Sequence, residues 1–169
     1  MAALTVLEQE TKTLPVMGPF MTEEEFTESL RAKKTPWFLR REAEGIRSFS
    51  KAFHICRFGC SDGKKRTRRL GLITDTLSGA TAMLPEGDVV KIENYEECRL
   101  GTVFAPKFSL EEVVELNRGL LERSLLKKWG GIPRIDIIDH IECYRVYYLV
   151  SYVRSKKMSV YPADNYRYF

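Results

Sequence analysis

From Ile135 to Val153 apolar and aromatic residues occupy both alternating sets of positions: Tyr144, Val146, Tyr148, Val150 and Tyr152 in one set, Ile141, Cys143, Tyr147, Leu149 and Val153 in the other. Successive side chains of a strand point to opposite faces, so this run predicts a strand covered on both sides, or covered on one and exposed as a binding surface on the other. An earlier stretch alternates in the same way, with Phe53, Ile55 and Arg57 against His54, Cys56 and Phe58. Ser61-Asp62-Gly63 then supplies a turn with a left-handed position at Gly63, and Leu70 to Thr76 reads as the return strand. Asp75-Thr76-Leu77-Ser78-Gly79 marks another turn before a short strand at Ala80 to Leu84, and Val89 to Phe104 holds two further brief alternations.

Two segments carry a helical period instead. Ser109 to Trp129 places Leu110, Val113, Val114, Leu120, Leu121 and Leu125 on one broad face and is stopped by Gly130-Gly131 and Pro133. Thr22 to about Lys34 has a narrower apolar face, mainly Phe26 and Leu30, with Glu23, Glu24 and Glu25 at its positive end and Arg31, Lys33 and Lys34 at its negative end. Both open on one start signal, Thr22-x-x-Glu25 and Ser109-x-x-Glu112, in which a hydroxyl caps the helix and a carboxylate reaches back. Thr35-Pro36 restarts the chain, and Trp37 to Glu44 fits a short helix ending at Gly45, with an extended reading of Trp37, Phe38 and Leu39 as the alternative. Residues 1 to 20 show no sustained period and read as a mobile arm with a short ordered piece around Val6 and Leu7.

An acidic-headed helix followed by a β-rich stretch therefore occurs twice. The expectation is an α+β protein of two helix-plus-β-hairpin units, residues 21–105 and 106–169, forming antiparallel sheet covered by helices within one domain. In the first unit a long strand, a polar turn, a return strand and the turn Asp75-Thr76-Leu77-Ser78-Gly79 resemble PepSY-type and cystatin-like domains, in which a helix lies across an antiparallel sheet and an Asp-x-x-Ser/Thr-Gly turn links late strands. Pro162-Ala163-Asp164-Asn165 in the second unit lacks the glycine. The resemblance implies interaction rather than catalysis.

The 169 residues, 44% hydrophobic and 30% charged, are enough to bury a core without staples. The net charge is +4, but Lys64, Lys65, Arg66, Arg68 and Arg69 crowd into six positions, and removing those five charges from +4 leaves −1. The basic character is local, which argues against a general polyanion-binding surface. The opening residues lack a basic and apolar leader, no run reaches the ~18 to 20 apolar residues that span a bilayer, and the expected compartment is the cytoplasm. Cys56, Cys60, Cys98 and Cys143 fit free thiols there.

Four candidate chemistries remain. Lys64, Lys65, Arg66, Arg68 and Arg69 at a hairpin turn suit an anion or nucleic acid, with Phe53 or Phe58 as a stacking face; the alternative is a solvated tip whose charges discourage edge pairing. His54-x-Cys56-x-x-x-Cys60 and His140-x-x-Cys143 suggest metal, yet Cys56 and Cys60 on one strand lie about 13 Å apart and no paired C-x-x-C occurs, so neither metal nor cofactor is expected. Cys143 and His140, near Asp136, Asp139 and Glu142, are the elements of a nucleophilic site, without a nucleophile-elbow pattern to place them. Gly59, Gly63, Gly71 and Gly79 are spaced as turns and bulges and form no phosphate-cradling loop. The tyrosine-rich end, with Tyr144, Tyr148, Tyr152, Tyr166, Tyr168 and Phe169, suits a protein interface. The reading is a non-catalytic binding or regulatory module acting through a protein partner, ahead of a nucleic-acid-associated protein using the basic loop, with a Cys/His enzyme third.

Overall fold

The computed structural model describes residues 12–32, 43–153 and 157–167. Along the chain run β1 (Thr13–Gly18), α1 (Glu23–Ala32), β2 (Ala43–Ser61), β3 (Thr67–Asp75), β4 (Thr81–Leu84), β5 (Lys91–Glu96), a single 3-10 turn (Glu97–Arg99), β6 (Thr102–Phe104), α2 (Leu110–Trp129), β7 (Arg134–Tyr152) and β8 (Met158–Pro162). Among the described residues the protein is α+β, with one mixed, mostly antiparallel sheet in the order β4-β3-β2-β7-β1-β5. Strand β6 adds to β2 in parallel and β8 to β7 antiparallel.

The two 19-residue strands β2 and β7 form the spine, pairing from Ala43↔Tyr152 to Ser61↔Arg134. A register shift at Arg57/Phe58 makes Asp139 the partner of Arg57 and Ile137 that of Phe58. Even-numbered residues of β7 from His140 onward share a face with even-numbered residues of β2, whereas Ile135 reaches that face from an odd position because of the extra residue at the bulge. The alternation read from sequence is thus present, with one parity switch in β7 and a second register shift at Ala43/Gly45 in β2.

Both helices lie on that shared face. In α1, Phe26 stacks on Tyr148 with ring centroids 4.5 Å apart and meets Tyr161 at 5.8 Å, over a cluster containing Val146, Val150 and Tyr152. In α2, Val113, Leu121 and Leu125 pack on Cys56, Phe58, Cys60 and Leu72. Each helix therefore covers mainly the strands that follow the other helix. Both caps form as the sequence indicates: the Thr22 N–H donates to Glu25 (2.7 Å) and the Glu25 N–H to Thr22 Oγ1 (3.3 Å), while Ser109 and Glu112 exchange the same pair of bonds at 2.8 and 3.3 Å. Gly130 ends α2 in the left-handed conformation.

The opposite face is wrapped into a third cluster that joins Leu84 of β4 to Met17 and Ile92 of β1 and β5 through Phe53, Ile55, Ile73 and Cys143. The two ends of the sheet path thus share one core, although the sheet is not closed. The tail helps cover this face. The Tyr166 hydroxyl accepts from the Lys91 N–H at 3.0 Å and donates to the Gly18 carbonyl at 3.1 Å, and Asp164 forms a buried ion pair with Arg145.

Three expectations change. Residues 13–18, placed in a mobile arm, form β1 between β7 and β5, since Leu14, Val16 and Met17 give it buried side chains on both faces. Glu44, placed at the end of a short helix, belongs to β2. Gly63 and Gly79 are turn glycines with φ of 73° and 74°, but Gly59 and Gly71 sit inside paired strands. Val6, Leu7, most of the 37–44 segment, Tyr168 and Phe169 lie outside the described residues.

Candidate functional site: a charged cleft at the open side of the sheet

The wrapped face changes character along β2 and β3. Cross-strand pairs on it run from Ile55–Ile73 through Arg57–Gly71 to Gly59–Arg69. Two aliphatic pairs' worth of volume is replaced by glycines and arginines, so the apolar filling stops and the face opens into a cleft of about 740 Å³. Its floor and walls include Leu84, Met83, Val89 and Ile138, the last three 51, 70 and 51% exposed. A Cβ on Gly71 would come within 3.0 Å of the Leu84 side chain, so the glycine leaves room for buried Leu84 beside it.

Around this apolar floor stand Arg57, Arg68 and Arg69 against Glu86, Asp88 and Asp139. Arg57 Nη1 is 3.1 Å from Asp139 Oδ2, and Arg68 Nη2 is 3.9 Å from Glu86 Oε2. All of these side chains are substantially exposed, so each pair contributes little to stability. Beyond the cleft lies the β2–β3 turn, where the Asp62 carboxylate accepts the N–H groups of Lys64 (2.9 Å) and Arg66 (3.0 Å). Those two donors hold the Asp62 carboxyl below the usual carboxylate range, with the Arg66 guanidinium 3.8 Å away assisting. Lys64, Lys65 and Arg69 have no ion-pair partner among the described residues. A second hollow of about 410 Å³ adjoins the cleft, lined by Ala82, Met83, Pro85, Asp88, Asn165, Tyr166 and Arg167.

Of the basic set, Arg68 and Arg69 line the cleft, and Lys64, Lys65 and Arg66 project from the turn; all five are exposed. Among the described members of the aromatic set, two are buried and two half-buried. Tyr148 is 3% exposed, its hydroxyl donating to the Met21 carbonyl at 2.8 Å, and Tyr152 is 8% exposed with its hydroxyl 2.8 Å from that of Tyr161. Tyr144 is half-buried at the edge of the α1 cluster, and Tyr166 is half-buried in the tail. Arg57 was read from the sequence only as a strand position, and Gly59 and Gly71 only as turn or bulge glycines; none was assigned to a site. Their signal was glycine at two positions that pair with arginine, visible only once the register is known.

His140 and Cys143 stand on opposite faces of β7, His140 beside Cys56 and Cys143 beside Phe53, so the suggested pair cannot act together. Burial pushes the Cys143 thiol up to about 12 and Cys56 to about 11, and raises Cys60, which leaves these groups protonated and unreactive. Alkylation of the native protein with iodoacetamide is expected to modify Cys98, the one exposed thiol of the four, with the others reacting only after denaturation. Mass spectrometry showing rapid native modification of Cys56 or Cys143 would contradict this burial.

Between the helices a polar seam crosses the spine, His54 paired with Glu142 and Cys56 with His140. His54 is 3% exposed, and its Nδ1 has no hydrogen-bond partner among the described residues. Burial lowers its pKa, Glu142 opposes that and His140 adds to it. Since the folded value lies below the unfolded one, near 6.5, the unfolded chain binds more protons below that pH. The stability from neutral His54 is complete above about 6.5 and declines as pH falls through it. Urea midpoints measured between about pH 8 and 5 should drop more steeply for wild type than for His54→Gln; equal slopes would remove His54 from the acid response.

Among the described residues no group of three His, Cys, Asp or Glu side chains is placed to hold a metal ion, and no helix is long and apolar enough to cross a membrane. No family model, curated protein or solved structure matches the chain.

Proposed function

We propose that this protein is a non-catalytic binding module acting through protein contact, and that its working surface is the cleft with the adjoining basic turn. The observation that carries the reading is the mixed lining of the cleft: three arginines and three carboxylates around an apolar floor. A polyanion would meet Glu86, Asp88 and Asp139 at every approach to Arg57 and Arg68, whereas a protein segment can offer an aliphatic side chain to the floor and a carboxylate to Arg69 and the turn. Buried Tyr148 and Tyr152 move the interface away from the aromatic strand and toward this cleft. The two helix-plus-hairpin stretches are read as repeats of one unit, which supports a scaffold role for most of the chain and leaves the cleft as its distinctive part.

The test uses fluorescein-labelled acetyl-Glu-Leu-Glu-Val-Glu-Leu-amide, the same peptide with Lys for Glu, and a ten-residue oligo-dT. The acidic peptide should bind in preference to both, and the triple variant Lys64→Ser, Lys65→Ser, Arg69→Ser should weaken it about tenfold, equivalent to ~1.4 kcal/mol. Tighter binding of oligo-dT, with a salt slope near −0.7 for each phosphate contact, would replace this reading with nucleic-acid association.

A further inference from the structure

The cleft and the second hollow meet along one element. Met83, Leu84 and Pro85 line the first, Ala82, Met83 and Pro85 the second. Strand β4 is the end of the sheet path and pairs only with β3 among the described residues. Its bonding pattern follows from the turn before it. The Asp75 N–H donates to the Ala80 carbonyl at 2.9 Å, so 75–80 is a bonded pair. Bonded and non-bonded pairs alternate in an antiparallel ladder, so Ile73–Ala82 and Gly71–Leu84 are bonded in turn. Thr81 and Met83 therefore aim their backbone N–H and C=O away from β3. Met83, the strand residue shared by both hollows, presents an open ladder position where the surface is concave.

Sheet edges are usually blunted by charge, proline or a covering segment. Strand β5 carries Lys91, Glu93 and Glu96, and its Lys91 N–H is occupied by the Tyr166 hydroxyl. Strand β8 ends in Pro162, and β6 is three residues long. By contrast β4, Thr81-Ala82-Met83-Leu84, has neither charge nor proline. Cations without ion-pair partners among the described residues stand at both ends of its groove: Arg69 at one, with the Lys64–Lys65 turn lying beyond it, and Arg167 at the other.

We propose that the partner segment binds by strand addition: an extended peptide of about four to six residues pairs with the outer edge of β4 through the Met83 N–H and C=O, alternate aliphatic side chains filling the cleft and carboxylates meeting the cations at its ends. This rests on the cleft being the working surface and adds the geometry of the bound segment. Backbone bonds supply affinity without side-chain preference, and the charged ends fix which acidic segments are accepted.

Met83→Pro is a clean test because the proline removes an outward N–H and leaves the β3 ladder untouched. With the acidic hexapeptide as probe, Met83→Pro should reduce affinity at least tenfold, while Met83→Ala, which keeps the N–H, should change it less than threefold. A measurement that leaves the protein unaltered is the same peptide N-methylated at alternate amides, in both registers. One register should bind and the other should lose binding, and the amide signals of Thr81 and Met83 should shift on titration. Loss of binding in the Lys64/Lys65/Arg69 variant with full binding by Met83→Pro and by both methylated peptides would overturn strand addition while sparing the cleft. Failure of the acidic peptide to bind wild type, or displacement of it by oligo-dT, would overturn both.

Discussion

Replacing Asp164 by Asn is expected to destabilise the protein by about 3 to 5 kcal/mol, the range for leaving one member of a buried ion pair without its partner. Arg145 is fully buried in the spine, and its Nε and Nη2 donate to the two Asp164 oxygens at 2.8 and 2.9 Å. Nη2 also donates to the Tyr166 carbonyl, and the guanidinium lies 5.4 Å from the Tyr147 ring centroid. Arginine cannot escape by losing its proton, so Asn leaves a positive charge in the core with one carbonyl oxygen where a bidentate carboxylate stood. The same change releases the tail, because Asp164 Oδ1 accepts the Tyr166 N–H at 2.9 Å and Tyr166 in turn ties Lys91 to Gly18. Urea unfolding gives the measurement. Making the change in an Arg145→Met background should cost far less, since no charge is then stranded, and a double-mutant cycle with little coupling would refute the assignment.

Arg145 also shows what the chain's pattern conveys and what it conceals. The alternation in 144–152 identifies the faces of β7, the start signals identify both helices and Gly130 the end of α2, because these are local effects of side-chain spacing and orphan backbone groups. Nothing local assigns Arg145 to the core. It lies among apolar residues at an odd position, and only Asp164, 19 residues later, makes its burial affordable. The strand β1 was missed for a similar reason: Thr13–Gly18 is short, contains Pro15 and gains its burial from β5 and β7, which are distant in sequence.

The cleft was legible only in part. Arg68 and Arg69 stood out as members of a charge run, but whether a run is a solvated tip or a wall depends on what the facing strands place beside it. That answer came from the register, which sets Gly71 against Arg57 and Gly59 against Arg69, and from the β4–β5 connection that brings Glu86, Asp88 and Val89 over the opening. Tyr148 and Tyr152 misled in the opposite sense. A stripe of Tyr at alternate positions has the chemistry of an interface, yet α1 and β8 cover it, and the hydroxyls find partners in the Met21 carbonyl and in a Tyr152–Tyr161 pair.

Gly101→Ala is expected to cost about 3 kcal/mol or more, combining a left-handed backbone that disfavours side chains by ~1 to 2 kcal/mol with overpacking worth ~1 to 3. Gly101 has φ of 67°, and a Cβ there would lie 2.5 Å from the Ser48 carbonyl carbon and closer still to its oxygen. Those are backbone atoms of β2, which cannot swing aside as a flexible side chain would. The contact sits between two anchors: Leu100, fully buried under α1, whose carbonyl accepts from Ser50 Oγ at 2.8 Å, and β6, which begins at Thr102 and runs parallel to β2 from Phe49↔Thr102. To admit a methyl group, β6 must lift from β2 or Leu100 must leave its cluster. Gly130→Ala is the internal control, with a similar φ of 70° and nothing within 4 Å of the added carbon, so it incurs only the conformational part. Denaturant unfolding of both variants separates the two contributions. If Gly101→Ala proves no more harmful than Gly130→Ala, the close approach of β6 to β2 at Ser48 is not a feature of the folded protein.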